Sequence, residues 1–187
     1  PTDFPPELHS EAANAQDRYA DRRRDARKVE FVTIDPAGSM DLDQAVAIEK
    51  NGDGYRVFYA IADVAAFVEP GSALHEESLK RGQTIYLPDE PARLHPEELS
   101  EGSASLLPDE DKPAVLWTFE LDAQGELTDT NVERAMVRSV ARLDYDGVQE
   151  DMDNGALHPS IALLPDVGEL RAASSLRRHA INLRVPS

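Results

Sequence analysis

From Phe31 onward the chain reads as short β-branched and aromatic runs separated by turns rich in Gly and Pro. Phe31-Val32-Thr33-Ile34 predicts a strand, and Asp35-Pro36-Ala37-Gly38-Ser39-Met40 a loop. Ala45 to Glu49 predicts a second strand, Asn51-Gly52-Asp53-Gly54 a hairpin turn, and Tyr55 to Ala62 a third strand. Ser72 is placed to cap a short helix over Ala73–Arg81, closed by Gly82, before an extended Thr84–Leu87 and a Pro-rich loop over 88–112. Val115, Trp117, Phe119 and Leu121 alternate along Ala114–Leu121, which predicts a half-buried strand with Trp117 on its core side. A further extended run covers Val132–Leu143, and Tyr145–Met152 and Asp166–His179 read as helices. Residues 1–28 differ from all of this. They are polar and charge-dense with few apolar anchors, and predict a helical lead-in, with Glu11–Lys28 an exposed helix or a loose segment and Arg22-Arg23-Arg24 a solvated face in preference to a phosphate contact. Together the elements give an α+β class: a mixed, mainly antiparallel sheet with flanking helices.

Charge and composition narrow the function classes. Nineteen Lys plus Arg against 36 Asp plus Glu leave a net charge of −17 over 187 residues. A module that coats nucleic acid through a basic face is disfavoured, so an RNA partner must be held by something other than bulk charge. The chain has no cysteine, which excludes disulfides, thiolate metal sites and a cysteine nucleophile, and suits a cytoplasmic home. No apolar run approaches the roughly eighteen residues of a membrane span, so no membrane partner is expected. The opening Pro1 and the lack of a terminating element near Ser187 read as a truncated piece.

The chemistry is densest at Asp35, Asp41 and Asp43. Asp35 ends one predicted strand, and Asp41 and Asp43 lead into the next. Side chains two apart in extended chain share a face, so Asp41 and Asp43 point together. Carboxylates gathered at a strand end repel one another unless a cation lies between them, and hard oxygen donors suit Mg²⁺ or Mn²⁺. The plain alternative is a set of turn and cap residues on a solvated loop. An EF-hand loop is excluded, because its sixth and twelfth positions would be Met40 and Val46. The five histidines show no i,i+4 pair, and Ser100, Ser103 and Ser105 lack a nucleophile elbow. Arg134, Arg138 and Arg142 recur every four residues, either to meet phosphates or as a solvated edge.

Thr33-Ile34-Asp35 followed by Asp41-Leu42-Asp43 and Ala45 resembles the catalytic signature of the RNB (ribonuclease II / ribonuclease R) family: Thr-Ile-Asp, five residues, Asp, one residue, Asp-Asp, then Ala. Ala60-Ile61-Ala62-Asp63-Val64, Arg81 to Pro88, Leu94 to Ser100 with Ser105-Leu106, and Ala141-Arg142-Leu143-Asp144-Tyr145 resemble further family blocks in the same order. The resemblance covers about residues 29–150 and makes 29–187 the N-terminal portion of an RNB-type catalytic domain, truncated at its C-terminus. It implies a metal-dependent 3′-to-5′ exoribonuclease that hydrolyses single-stranded RNA to nucleoside monophosphates. On that resemblance Asp41 and Asp43 are catalytic, and Asp35, Asp41, Asp43 and Gln44 face Mg²⁺ (or Mn²⁺). Tyr86 matches the aromatic that stacks on a terminal base, and Arg142 lies on the RNA side. Gln44 departs from the pattern, standing where the family has its fourth Asp. An amide brings no charge and cannot act as a base, so a catalytically weakened or inactive RNA-binding protein of the same fold is the alternative.

Overall fold

The computed structural model describes residues 4–68, 72–73 and 102–184, with backbone alone over 178–184. Apart from Ala73, the helix expected over Ala73–Arg81 lies outside the described residues, as do the extended run at Thr84–Leu87 and Tyr86 within it. Six strands form the sheet: β1 Arg24–Asp25, β2 Phe31–Asp35, β3 Gln44–Asn51, β4 Gly54–Ala62, β5 Asp111–Leu121 and β6 Leu127–Asp144. Among the described residues three α-helices accompany them: α1 Pro6–Asn14, α2 Tyr145–Asp153 and α3 Leu164–Arg184. The order is β1-β6-β2-β3-β4-β5, and β6 also pairs with β5. The first part of β6 lies antiparallel to β5 and its last residues run parallel to β2, so the sheet closes on itself. Among the described strands the β1–β6 and β2–β6 pairings are parallel and the rest antiparallel, which makes the sheet mixed and mainly antiparallel.

Closure decides which side chains are inside. A ring of so few strands leaves a narrow interior, and the residues that fill it are small. Ala45, Ala47, Ala60, Ala114 and Ala135 alternate there with Phe31, Phe58, Leu116 and Val137. Phe31 and Phe58 meet edge to face, with ring centroids 6.3 Å apart. The opposite face of the same strands packs under the helices. Ile48, Tyr55 and Leu121 meet Val167 of α3, and Val32 meets Val148 of α2 and Ile161. Trp117 therefore faces outward, contrary to the core position that its alternation predicts. It is half-buried and stacks on Phe119 at 6.1 Å. Both faces of β5 are apolar, so period alone does not identify the inner one. The ring admits the register of Ala114 and Leu116, not the indole.

The hairpin between β3 and β4 forms where Asn51-Gly52-Asp53-Gly54 predicts it, with Asn51 opposite Gly54 and Gly52 at φ +60°. Gly54 has a second constraint: a Cβ there would lie 2.0 Å from the Leu121 carbonyl oxygen. Gly54→Ala is expected to cost about 1–3 kcal/mol, because backbone must move to admit it; urea unfolding monitored by Trp117 fluorescence measures it.

The N-terminal segment is docked, not a solvated helix over Glu11–Lys28. Helix α1 ends at Asn14, and a 3-10 turn at Ala20–Arg22 leads into β1. Leu8 and Ala12, four apart on α1, are buried with Phe4 just ahead of the helix against Val68. The side chain of Arg23 is 1% exposed and paired with Asp17 and Asp63. Among the described residues no helix is long and apolar enough to cross a membrane.

Candidate metal and phosphodiester site

The loop from Pro36 to Asp43 joins β2 to its antiparallel neighbour β3, so the carboxylate that ends one strand returns to those that precede the other. Within the loop Ser39 N–H donates to the Pro36 carbonyl (3.1 Å), and Gly38 takes φ +82°, which closes the turn. Leu42 then goes fully inward, joining the core with Leu106, while Asp41 and Asp43 on either side are exposed. The Asp43 carbonyl accepts from Ala62 N–H at 2.8 Å, which fixes this end of β3 against the end of β4.

Asp35 and Asp43 feel one another. Burial, and then the charge of Asp43, push the Asp35 carboxyl above the usual carboxylate value. The Oδ2 atom of Asp35 is buried with no hydrogen-bond partner among the described residues. Burial, and then the same Asp43 charge, raise the phenol of Tyr59 on β4. A buried acidic oxygen without a donor, beside a second carboxylate, is the arrangement that a hard cation relieves. Among the described residues no three His, Cys, Asp or Glu side chains converge on one point. That donor set still fits Mg²⁺, which keeps several waters and takes one or two carboxylates together with substrate phosphate.

Arg142 reaches the same loop. Its Nη1 donates to the Ser39 carbonyl and lies against the Met40 sulfur, each at 3.3 Å. It does not share a face with Arg134 and Arg138. Phe31 pairs with Ser139 but Val32 with Ala141, so β6 carries an extra residue there, and side chains beyond it switch sides. Arg138 pairs with Asp111 at 2.6 Å, and Arg134 lies over the Tyr19 ring at 3.8 Å. Asp144 stands in register with Asp35 on the parallel neighbour and caps α2 through Gly147 N–H at 2.7 Å. Ser105, in a stretch that reads from sequence as a plain loop, is buried and bonded to the backbone on both sides of Asp41. Only its place in a matched Ser-Leu block could have drawn attention to it. A cavity of about 320 Å³ lined by Arg56, Phe58, Thr118 and Asn131 lies toward the hairpin end of the sheet, away from the carboxylates.

Comparison with known proteins bears on this end of the sheet. The model of the RNB domain matches residues 23–185. Ribonuclease R of Aquifex aeolicus is 38% identical over 150 residues, covering 78% of this chain and 21% of that protein. The structure of Mycoplasma genitalium RNase R in complex with double-stranded RNA superposes with a TM-score of 0.84 at 26% identity, covering 95% of this chain and 34% of the other. Yeast Ssd1, described as a pseudonuclease, shares the fold with a TM-score of 0.69 at 16% identity, over 83% of this chain and 20% of its own. The chain thus spans about a fifth to a third of the length of these proteins.

Proposed function

The chain belongs to the RNB domain family, and from that premise we propose that it serves the hydrolysis of single-stranded RNA from the 3′ end, with Mg²⁺ or Mn²⁺ and release of nucleoside monophosphates. The observation that carries this is the exposed Asp41 and Asp43 flanking a buried Leu42, with Asp43 in charge contact with the half-buried Asp35. Asp35, Asp41, Asp43 and the Gln44 amide are the groups that would hold the ion, and Asp41 and Asp43 stand nearest the chemistry. A bound divalent ion supplies polarisation of a phosphodiester oxygen and a water of lowered pKa. The chain's own part is to hold acidic oxygens at a fixed strand end and to keep Asp35 poised by burial. Arg142, with more donors than its two loop contacts use, offers the remainder to a phosphate. Tyr86 would stack on the terminal base, a contact that any base can make. A net charge of −17 repels a polyanion at long range, so the affinity must be local. The cysteine-free composition suits a cytoplasmic setting.

Gln44 favours a second reading, an RNA-binding protein that has lost catalysis. The test is Mg²⁺- or Mn²⁺-dependent shortening of a 5′-labelled unstructured RNA by the native full-length protein. Stepwise loss from the 3′ end is expected, and an intact RNA with either metal would remove the enzyme reading. Gln44→Asp restores a carboxylate and is expected to tighten Mn²⁺ binding on the order of tenfold, about 1.4 kcal/mol, by calorimetry. Nuclease activity appearing only in Gln44→Asp would establish the second reading.

A further inference from the structure

Asp41 is the one proposed ligand whose position no strand fixes, since Asp35 ends β2 and Asp43 is tied to Ala62. Its backbone is nonetheless held on both sides by one side chain. The Ser105 hydroxyl donates to the Met40 carbonyl at 2.7 Å and accepts from Leu42 N–H at 3.1 Å. The next residue completes the brace, because Leu106 N–H donates to the Leu42 carbonyl at 2.8 Å. Ser105 and Leu106 are each 1% exposed and Leu42 is fully buried, so these bonds are sheltered from competing water. We infer that Ser105 is a positioning residue for the metal site, acting through Asp41: its hydroxyl brackets the peptide units around Asp41 and thereby aims that carboxylate. The inference rests on the reading of Asp35, Asp41 and Asp43 as ion-holding groups.

The chemistry of the bracket is specific. One hydroxyl must donate and accept at once, and Ser does so with no excess volume. Alanine would leave the Met40 carbonyl and Leu42 N–H without this partner. It would also free the loop to relax between its anchors at Ser39, held by Arg142, and Asp43. A hydroxyl of purely structural value would affect unfolding, not metal affinity in the folded protein. Groups that orient metal ligands typically change affinity by about 10–100-fold when removed.

The experiment is Mn²⁺ titration by calorimetry of the native chain and four variants, well below each unfolding midpoint. Ser105→Ala is expected to weaken Mn²⁺ binding by about tenfold or more. Ser105→Cys retains the volume but offers only a weak S–H donor, and is expected to lose affinity to a smaller extent. Val137→Ala, a truncation in the same core but on β6 and without a hydrogen-bonding role at the loop, is the control for lost stability and should bind as the native chain does. Asp43→Asn tests the underlying site and should weaken binding. Native-like affinity in Ser105→Ala and Ser105→Cys alongside a weakened Asp43→Asn would overturn the inference alone. An equal loss in Val137→Ala would overturn it too, by showing that affinity follows stability. Native-like affinity in Asp43→Asn would overturn the site reading itself. If Ser105→Ala does not fold, Ser105→Cys decides the matter.

Discussion

Asp43→Asn is expected to lower RNA hydrolysis by on the order of 10²–10³-fold, the scale on which a lost preorganised electrostatic group is felt. It is also expected to weaken Mn²⁺ binding, while leaving the metal-free protein slightly more stable at neutral pH. The opposite signs have one cause. In the folded chain burial and the Asp43 charge raise the Asp35 carboxyl, so the folded state holds its proton more tightly than the unfolded state does. Stability is then lost as pH rises from the ordinary value of 3.8 through the raised one, and stays lower above it. Neutralising Asp43 removes part of that repulsion. Asp43 is exposed, so solvent screens it and the gain is below about 1 kcal/mol. Asn matches Asp in shape, and its unchanged backbone carbonyl still accepts from Ala62 N–H. Urea unfolding at pH 7 without metal, paired with calorimetric titration, reads both effects. A variant that is less stable yet binds Mn²⁺ normally would show that Asp43 is a structural loop residue.

Much of this site is legible in sequence because strand periodicity is a local property. The runs at Phe31–Ile34, Ala45–Glu49 and Tyr55–Ala62 carry their own β pattern, and Asn51-Gly52 fixes how two of them pair. The outward direction of Asp41 and Asp43 follows from the same alternation, with Leu42 as the inward residue. What could not be read depends on closure. Nothing in Ala114–Leu121 says that β6 will bend back to pair with both β2 and β5, yet that event puts Leu116 inside and Trp117 out. The extra residue in β6 near Val140 is equally silent in sequence, and it separates Arg142 from Arg134 and Arg138. Ser105 lies more than sixty residues from the loop it braces, a contact that no spacing rule reaches. The docking of the polar lead-in is hidden for a related reason: three apolar residues, Phe4, Leu8 and Ala12, suffice to anchor it against Val68.

The largest expected loss of stability comes from that lead-in, at Arg23. Its Nε and Nη2 fork onto Asp17 at 2.7 and 2.9 Å, and Nη2 also meets Asp63 at 2.7 Å. Nη1 donates to the carbonyls of Ala114 and Ala135 at 3.1 and 3.3 Å. One guanidinium therefore ties the N-terminal segment, the end of β4, β5 and β6 together, in a place where it is 1% exposed. Arg23→Met is expected to destabilise the fold by about 3–5 kcal/mol, because it takes the main cation from Asp17 and Asp63 and leaves them only Arg134, 3.7 Å from Asp63. The comparison is Arg27→Met, whose ion pairs with Asp25 and Asp111 are solvent-exposed and whose loss should leave the urea midpoint nearly unchanged. The pH dependence separates lost charge pairing from lost packing. Burial alone would raise the Asp17 carboxyl, but hydrogen bonds from Arg23 and from Tyr19 N–H, with the charges of Arg23 and Arg134, hold it below the usual value. Its contribution is thus present above pH 3.8 and fades as pH falls through the lowered value. In Arg23→Met the same carboxyl is buried without its main partner, and acid relieves it by protonation. The gap between native and variant in urea midpoint should accordingly shrink between pH 7 and pH 3. A gap that does not change with pH would mean that Arg23 stabilises through the packing of its stem and its two carbonyl contacts, not through its carboxylates.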